Sequence, residues 1–235
     1  MEESEEIIKK AKQKMQPMLK SVLNFNSVFN PNYKELNQIL FAMSVIDRNF
    51  FYKGEDVYQD TALEIGEKQT ISQPSTVARM LLLLELKKGD SVLEVGTGSG
   101  WNASLISYLI FPGHITTVEI YNSLTESAEN NFASLRGSLK IKKPELYEKT
   151  EKINFFTENI FDKKKAWKRS YDKIILTAGI TSDDEEKIKS LAQSLLKQNG
   201  ILVCPYKKGP ILVLKKKGKI IASKTSEEYQ FVPLR

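Results

Sequence analysis

A chain of 235 residues with 41% hydrophobic content is long enough to bury one substantial core and somewhat long for a minimal domain. Its 35 Lys and Arg against 29 Asp and Glu give a formal net charge of +6, which raises nucleic acid as a partner, but the excess sits in Lys140 to Lys168 and in a tail carrying Lys207, Lys208, Lys215, Lys216, Lys217 and Lys219, runs that read as solvated surface with no aromatic-interleaved RNA-binding signature. The longest apolar run, around Leu81 to Leu84, is far below the roughly 20 residues of a membrane span, and a single Cys204 and a single His114 leave no internal disulfide and no zinc-ligand cluster.

The N-terminus, Met1-Glu2-Glu3-Ser4-Glu5-Glu6, lacks the basic start, apolar centre and cleavage site of a signal peptide, so the protein is expected in the cytoplasm. Residues 1–60 read as a helical extension on a domain spanning 61–235. Within the extension, Ile7, Ile8, Ala11, Met15, Met18, Leu19 and Val22 recur at the three- and four-residue spacing of an amphipathic helix, and Leu36, Ile39, Leu40 and Met43 mark a second. The mixed, polar segment Phe50 to Lys68 reads as ordered loop. Pro74 then starts a helix whose apolar body runs from Thr76 to Leu86, ending near Lys87-Lys88-Gly89-Asp90.

From there strand and helix alternate, the pattern of a mostly parallel sheet covered by helices, so the fold class is α/β, a Rossmann-like doubly wound sheet. Strands are predicted at Ser91 to Val95, His114 to Glu119, Ile153 to Thr157, Asp172 to Thr177, Gly200 to Pro205 and Ile211 to Lys216. Helices are predicted at Asn102 to Ile110, Ser123 to Leu135 and Asp184 to Leu196, with one or two closing strands in Lys219 to Leu234. The polar stretch between Arg136 and Lys152 is longer than an ordinary connection and reads as a surface insertion. A Ser-His-Asp or Cys-His site would have to use His114, which opens a strand-like run; His114 reads as a strand-edge residue and Cys204 as buried filler.

The strongest local signal is Val92-Leu93-Glu94-Val95-Gly96-Thr97-Gly98-Ser99-Gly100-Trp101-Asn102, a strand entering a glycine-rich turn and then a helix. Glycines there let backbone approach a ligand, and the helix start offers free N–H groups. A dinucleotide fingerprint places its third glycine three residues after the second, where this chain has Trp101. Glu94 just before the turn would oppose a phosphate and favour a cation. S-adenosylmethionine carries an ammonium and a sulfonium and no phosphate, so it is the expected ligand of Glu94, Gly96, Thr97, Gly98 and Gly100. Glu119, ending the next strand, is placed to accept both ribose hydroxyls. At the end of the third strand, Asn159 or Glu158 can accept a hydrogen bond from the adenine amino group, with a plain loop role as the alternative.

With these residues in hand, the chain resembles the protein-L-isoaspartate O-methyltransferase family over roughly residues 36–235. Gln69-Thr70-Ile71-Ser72-Gln73-Pro74 resembles the family's segment upstream of the cofactor loop, a peptide most methyltransferases lack. Ala42-Met43, Arg48, Phe51, Val57-Tyr58-Gln59-Asp60 and Ile65-Gly66 follow its lead-in. Tyr171 to Ile175 with Thr177-Ala178, Leu202 to Pro205 and Phe231-Val232-Pro233-Leu234 match downstream. The chain departs from the family at Asn159-Ile160, where an aspartate-glycine pair is usual, at Ser75, and in a shortened loop after Pro205.

The resemblance implies that Thr70, Ile71 and Ser72 lie over the cofactor and help hold the substrate carboxylate, with Ser72 and Thr70 catalytic and Ile71 at the cofactor. From the residues alone, Thr70 and Ser72 serve equally as caps of the helix after Pro74. The implied reaction is methyl esterification of an isoaspartyl carboxylate in proteins or peptides, with no metal and no obligate partner. Alternatives are a methyltransferase of the same fold acting on a tRNA base or modified peptide, and a non-catalytic S-adenosylmethionine-binding adaptor.

Overall fold

The computed structural model describes residues 1–29, 33–150, 153–162 and 170–235. Two helices, α1 (Glu2–Lys10) and α2 (Gln16–Ser27), stand where one was expected from Ile7 to Val22. The reason is Pro17, which has no amide hydrogen for a continuing helix but costs nothing in the first turn of α2. With α3 (Tyr33–Val45) they bury Ile8, Leu19, Val22, Leu36, Leu40 and Met43.

The segment expected as loop, Phe50 to Lys68, ends in the first strand and turn of a hairpin, β1 (Leu63–Gly66), whose antiparallel partner β2 (Gln69–Ile71) follows directly. Its turn residues Glu67 and Lys68 have φ of 52° and 58°. Such turns normally announce themselves with Asn or Gly, and the Glu-Lys pair hides this one. Helix α4 (Pro74–Leu84) follows, with Pro74 in its first turn.

The core then alternates β3 (Ser91–Val95), α5 (Trp101–Ile110), β4 (His114–Glu119), α6 (Asn122–Lys142), α7 (Pro144–Tyr147), β5 (Ile153–Thr157), β6 (Tyr171–Leu176), α8 (Glu185–Leu195) and β7 (Leu196–Pro205). It closes with β8 (Lys208–Gly209), β9 (Ile211–Lys217), β10 (Lys219–Lys224) and β11 (Tyr229–Gln230). The large sheet runs β10-β9-β7-β6-β3-β4-β5, with β5, β4, β3, β6 and β7 parallel and β9 and β10 antiparallel. The expected insertion is half wrong: α6 continues through Arg136 to Lys142, burying Leu139 one turn beyond Leu135, and Leu146 of α7 is buried too. Lys163 to Lys168 lie outside the described residues.

Alternation along the strands divides the interior into two layers. Val92, Ile115, Ile175, Ile201 and Val203 face the layer that includes α2 to α5. Leu93, Ile174, Leu176, Leu202 and Cys204 face α8 on the other side. The helical extension shares the first layer. In β9, Lys216 turns back to donate to the carbonyls of Gln193 and Leu196 at 2.6 and 2.8 Å, satisfying the end of α8. Among the described residues no helix is long and apolar enough to cross a membrane.

Because Leu40 is fully buried in the shared layer, Leu40→Ala should cost about 2–5 kcal/mol of stability for the whole chain. Calorimetry should show one cooperative transition moving down; a separate early transition would show that the extension folds apart from the sheet.

Candidate active site

The chain leaves β3 for β4 and β5 on one side and returns to β6 on the other. At such a reversal the carboxyl ends of the strands leave a crevice. Here the crevice is lined from the ends of β2, β3, β4 and β6, from Glu158 to Ile160 after β5, and from the C-terminal residues Val232 to Arg235.

Gly96 (φ 98°) opens the turn after β3; a Cβ there would lie 2.3 Å from Thr177 Oγ1, whose hydroxyl donates to the Gly96 carbonyl at 2.6 Å. Gly100 (φ 84°) closes the turn, and a Cβ there would lie 3.0 Å from that of Ala128 in α6. Gly96, Thr97 and Gly98 line the crevice. Gly100 does not; its place is set by the approach of α6.

Glu119 lines the crevice from the end of β4 and is buried. Its Oε2 accepts the Gly98 amide at 3.0 Å, and its Oε1 accepts the amides of Ile120 and Tyr121 at 2.9 and 3.2 Å. A pyrophosphate seeking the Gly98 N–H would therefore find it taken and a carboxylate beside it. The second lone pair of Oε2 stays available to a hydroxyl.

Glu94 does not line the crevice. It is fully buried beneath the turn, where it accepts from Asn102 at 2.8 Å and Thr117 at 2.5 Å. Since the Thr117 proton goes to Glu94, Thr97 is the donor in its 2.7 Å contact with Thr117. Burial pushes the Glu94 carboxyl up to about 7; the bonds from Thr117 and Asn102 oppose this, and the charge of Glu119 adds to it. Thr117 carried no sequence signal, because an alternating strand residue looks the same whether it packs or relays.

Thr70, Ile71 and Ser72 line the opposite wall. They do not cap α4: Asp60 does so from outside, its Oδ1 accepting the Ser75 amide at 2.8 Å and its Oδ2 the Gln73 side chain at 3.2 Å. Among the described residues the Thr70 and Ser72 hydroxyls have no protein partner. Glu158, Asn159 and Ile160 line the far end, where Asn159 Oδ1 accepts the Phe161 amide at 2.9 Å. Val232 to Arg235, of which Val232 to Leu234 were noted above only as part of the family resemblance, also line the crevice. They are tied to Gly179 by its amide to the Val232 carbonyl and by the Leu234 amide to its carbonyl, both at 2.8 Å. Cys204 is buried among apolar residues, which pushes its thiol well up, and His114 opens β4 away from the crevice.

A carboxyl raised in the folded state from the usual 4.5 favours folding below that value and loses its contribution as pH climbs through about 7. Relative to Glu94→Gln, the native chain should lose on the order of 3 kcal/mol across that window. Denaturant titrations at several pH values check this, and parallel curves for the two proteins would refute it.

Comparison with known proteins agrees with this geometry. The sequence model of the family described as protein-L-isoaspartate(D-aspartate) O-methyltransferase matches residues 25–235. A protein-L-isoaspartate O-methyltransferase of Ignicoccus hospitalis is 35% identical over 76% of this chain and 77% of its own. One of Fervidobacterium nodosum is 34% identical over 86% and 96%. In fold, the chain matches a Plasmodium falciparum structure in complex with S-adenosyl-L-homocysteine, assigned as a protein-L-isoaspartate O-methyltransferase, with a TM-score of 0.72 at 24% identity, covering 95% of this chain and 99% of that one. The chain belongs to the protein-L-isoaspartate(D-aspartate) O-methyltransferase family.

Proposed function

We propose that the crevice binds S-adenosylmethionine on its glycine-turn side and an isoaspartyl carboxylate against Thr70 to Ser72, and that the chain methylates that carboxylate. The observation carrying this reading is the pairing of two walls: Glu119 with a lone pair left for a hydroxyl on one, and two hydroxyls without protein partners on the other. When bound, the cofactor supplies an electrophilic methyl group on sulfonium.

Glu119 accepts from the ribose hydroxyls, and Asn159 uses its remaining amide capacity toward the adenine amino group. Gly96, Thr97 and Gly98 form the floor, with Ile71 over the nucleoside. Glu94 and Gly100 act from behind, by fixing the turn's shape. Thr70 and Ser72 donate hydroxyl hydrogens to the acceptor carboxylate. That carboxylate, with an ordinary pKa near 3.9, is already ionised at neutral pH, so no general base is needed. With Glu119 and the glycine turn holding the donor and Thr70 and Ser72 holding the carboxylate, the transfer would require no proton to be moved by the protein. Catalysis is then positioning. The ester product is more readily attacked by the neighbouring backbone amide, which closes a succinimide whose hydrolysis returns some normal aspartate. The same reading takes residues 1–60 as an extension of the 61–235 methyltransferase domain, supported by the layer they share.

Tritiated methyl transfer to an isoaspartyl peptide, with the normal aspartyl peptide and tRNA alongside, tests the reaction; strong tRNA labelling or none on the isoaspartyl peptide would overturn it. Ser72→Ala should lower turnover about 10-fold or more with cofactor affinity unchanged, and lost affinity would move Ser72 to the donor side. Glu119→Ala should weaken S-adenosylhomocysteine binding in calorimetry by about 10-fold or more; equal affinity would remove Glu119 from the ribose.

A further inference from the structure

Arg48 sits outside the crevice, fully buried. No ion pair to a carboxylate holds it among the described residues; its partners are carbonyl oxygens. Nη1 donates to Val57 and Gln59 at 2.9 and 3.1 Å, and Nη2 to Thr61, Ser72 and Ile71 at 3.1, 3.0 and 3.4 Å. The guanidinium carbon also lies 5.2 Å from the centre of the Trp101 ring. Trp101 is the first residue of α5, directly after Gly100, and its indole donates to the Ile46 carbonyl at 3.0 Å.

One cation thus touches both walls of the crevice from behind. On the acceptor side its firm bond is to the Ser72 carbonyl at 3.0 Å, with the Ile71 carbonyl a weaker third claimant on Nη2 at 3.4 Å, so the peptide plane between Ser72 and Gln73 cannot turn without breaking a charge-assisted hydrogen bond. On the donor side it rests on the ring that anchors the helix after the glycine turn, a contact favourable for a desolvated guanidinium. Burial lowers its pKa to about 10, with Asp60 and then Tyr52 opposing, so it stays charged at neutral pH. This arrangement costs desolvation that an apolar side chain would avoid. An apolar core could pack the same space, but it could not bind carbonyls from two separate stretches, 57–61 and 71–72.

We propose that Arg48 is the positioning residue that registers the acceptor segment Thr70–Ser72 against the methyl-donor loop, a role that rests on the reaction assigned above. Arg48 touches no substrate; it acts through the backbone of Ile71 and Ser72 and through Trp101.

Arg48→Lys tests it in the full-length chain, because lysine keeps the charge while its compact ammonium cannot span five carbonyls. With the variant folded by thermal denaturation, S-adenosylhomocysteine affinity should stay within about 3-fold while kcat on the isoaspartyl peptide falls by about 10²-fold, the effect of an ångström-scale misplacement. Unchanged kcat, or a fall in kcat matched by the fall in cofactor affinity, overturns the proposal. Amide exchange without ligand gives a second reading: the variant should exchange faster at Thr70 to Ser72 with α5 unaltered, and equal rates there overturn it. If Arg48→Lys does not fold, S-adenosylhomocysteine added to the native chain should slow exchange at Val57 to Thr61, which lie away from the crevice; protection confined to the crevice lining overturns the proposal. If the native chain leaves the isoaspartyl peptide unmethylated, the reaction reading fails, while the ligand-free exchange comparison still decides on Arg48.

Discussion

The parallel register of β3 and β4, with Val95 opposite Val118, sets where everything at the site can be. It brings the Gly96 amide onto the Val118 carbonyl at 2.8 Å and, one step later, the Gly98 amide onto the Glu119 carboxylate. A shift by one residue would turn Glu119 away from the turn and its neighbours onto the wrong face. The register is in turn held by the two buried layers, since each strand contributes alternately to both. Site geometry is therefore a consequence of core packing, and the glycine turn is only its visible end.

Much of this was legible in the chain because the strands are nearly continuous apolar runs and the helices between them carry a 3.6-residue period. Ser91–Val95, His114–Glu119 and Ile153–Thr157 were placed to the residue. The residues quoted for the crevice mostly meet there, since Thr70 to Ser72, Gly96 to Gly98, Glu119 and Asn159 all line it. What escaped has physical reasons. Periodicity runs straight through Ala11 and Met15, and only the missing amide of Pro17 marks the break between α1 and α2. The β1–β2 turn is made by residues that tolerate positive φ poorly, so composition argued for loop. In α6 the charged stretch after Arg136 masks the buried Leu139. Glu94 was expected at the ligand because sequence shows proximity to the turn but not direction; the inward face of β3 sends its side chain to Thr117 and Asn102 instead.

Of the buried charged side chains among the described residues, Glu94 and Arg48 are the ones wholly enclosed, and they solve different problems. Glu94 is a carboxyl whose burial makes its charge unfavourable, held by neutral donors beneath the turn. Arg48 is a cation whose burial is offset by carbonyl dipoles gathered from sequence positions 57 to 72. Each sits one layer behind a crevice wall. Neither lines the crevice; Arg48 is linked to it through the Ser72 backbone and Glu94 through the Asn102 side chain.

The lysines of the closing strands bear on how copies of this chain behave together. Lys215 pairs with Glu85 at 2.6 Å, Lys216 is spent on the end of α8, and Lys224 reaches Glu185 at 3.1 Å. β10 ends the sheet order, with a lysine at each end of its six residues and Ile221 half exposed between them. A second chain adding a strand along this border would have to bury those ammonium groups. The lysines at its two ends thus make this border a poor template for another strand, and two of the region's charges, on Lys215 and Lys224, are already paired within the protein.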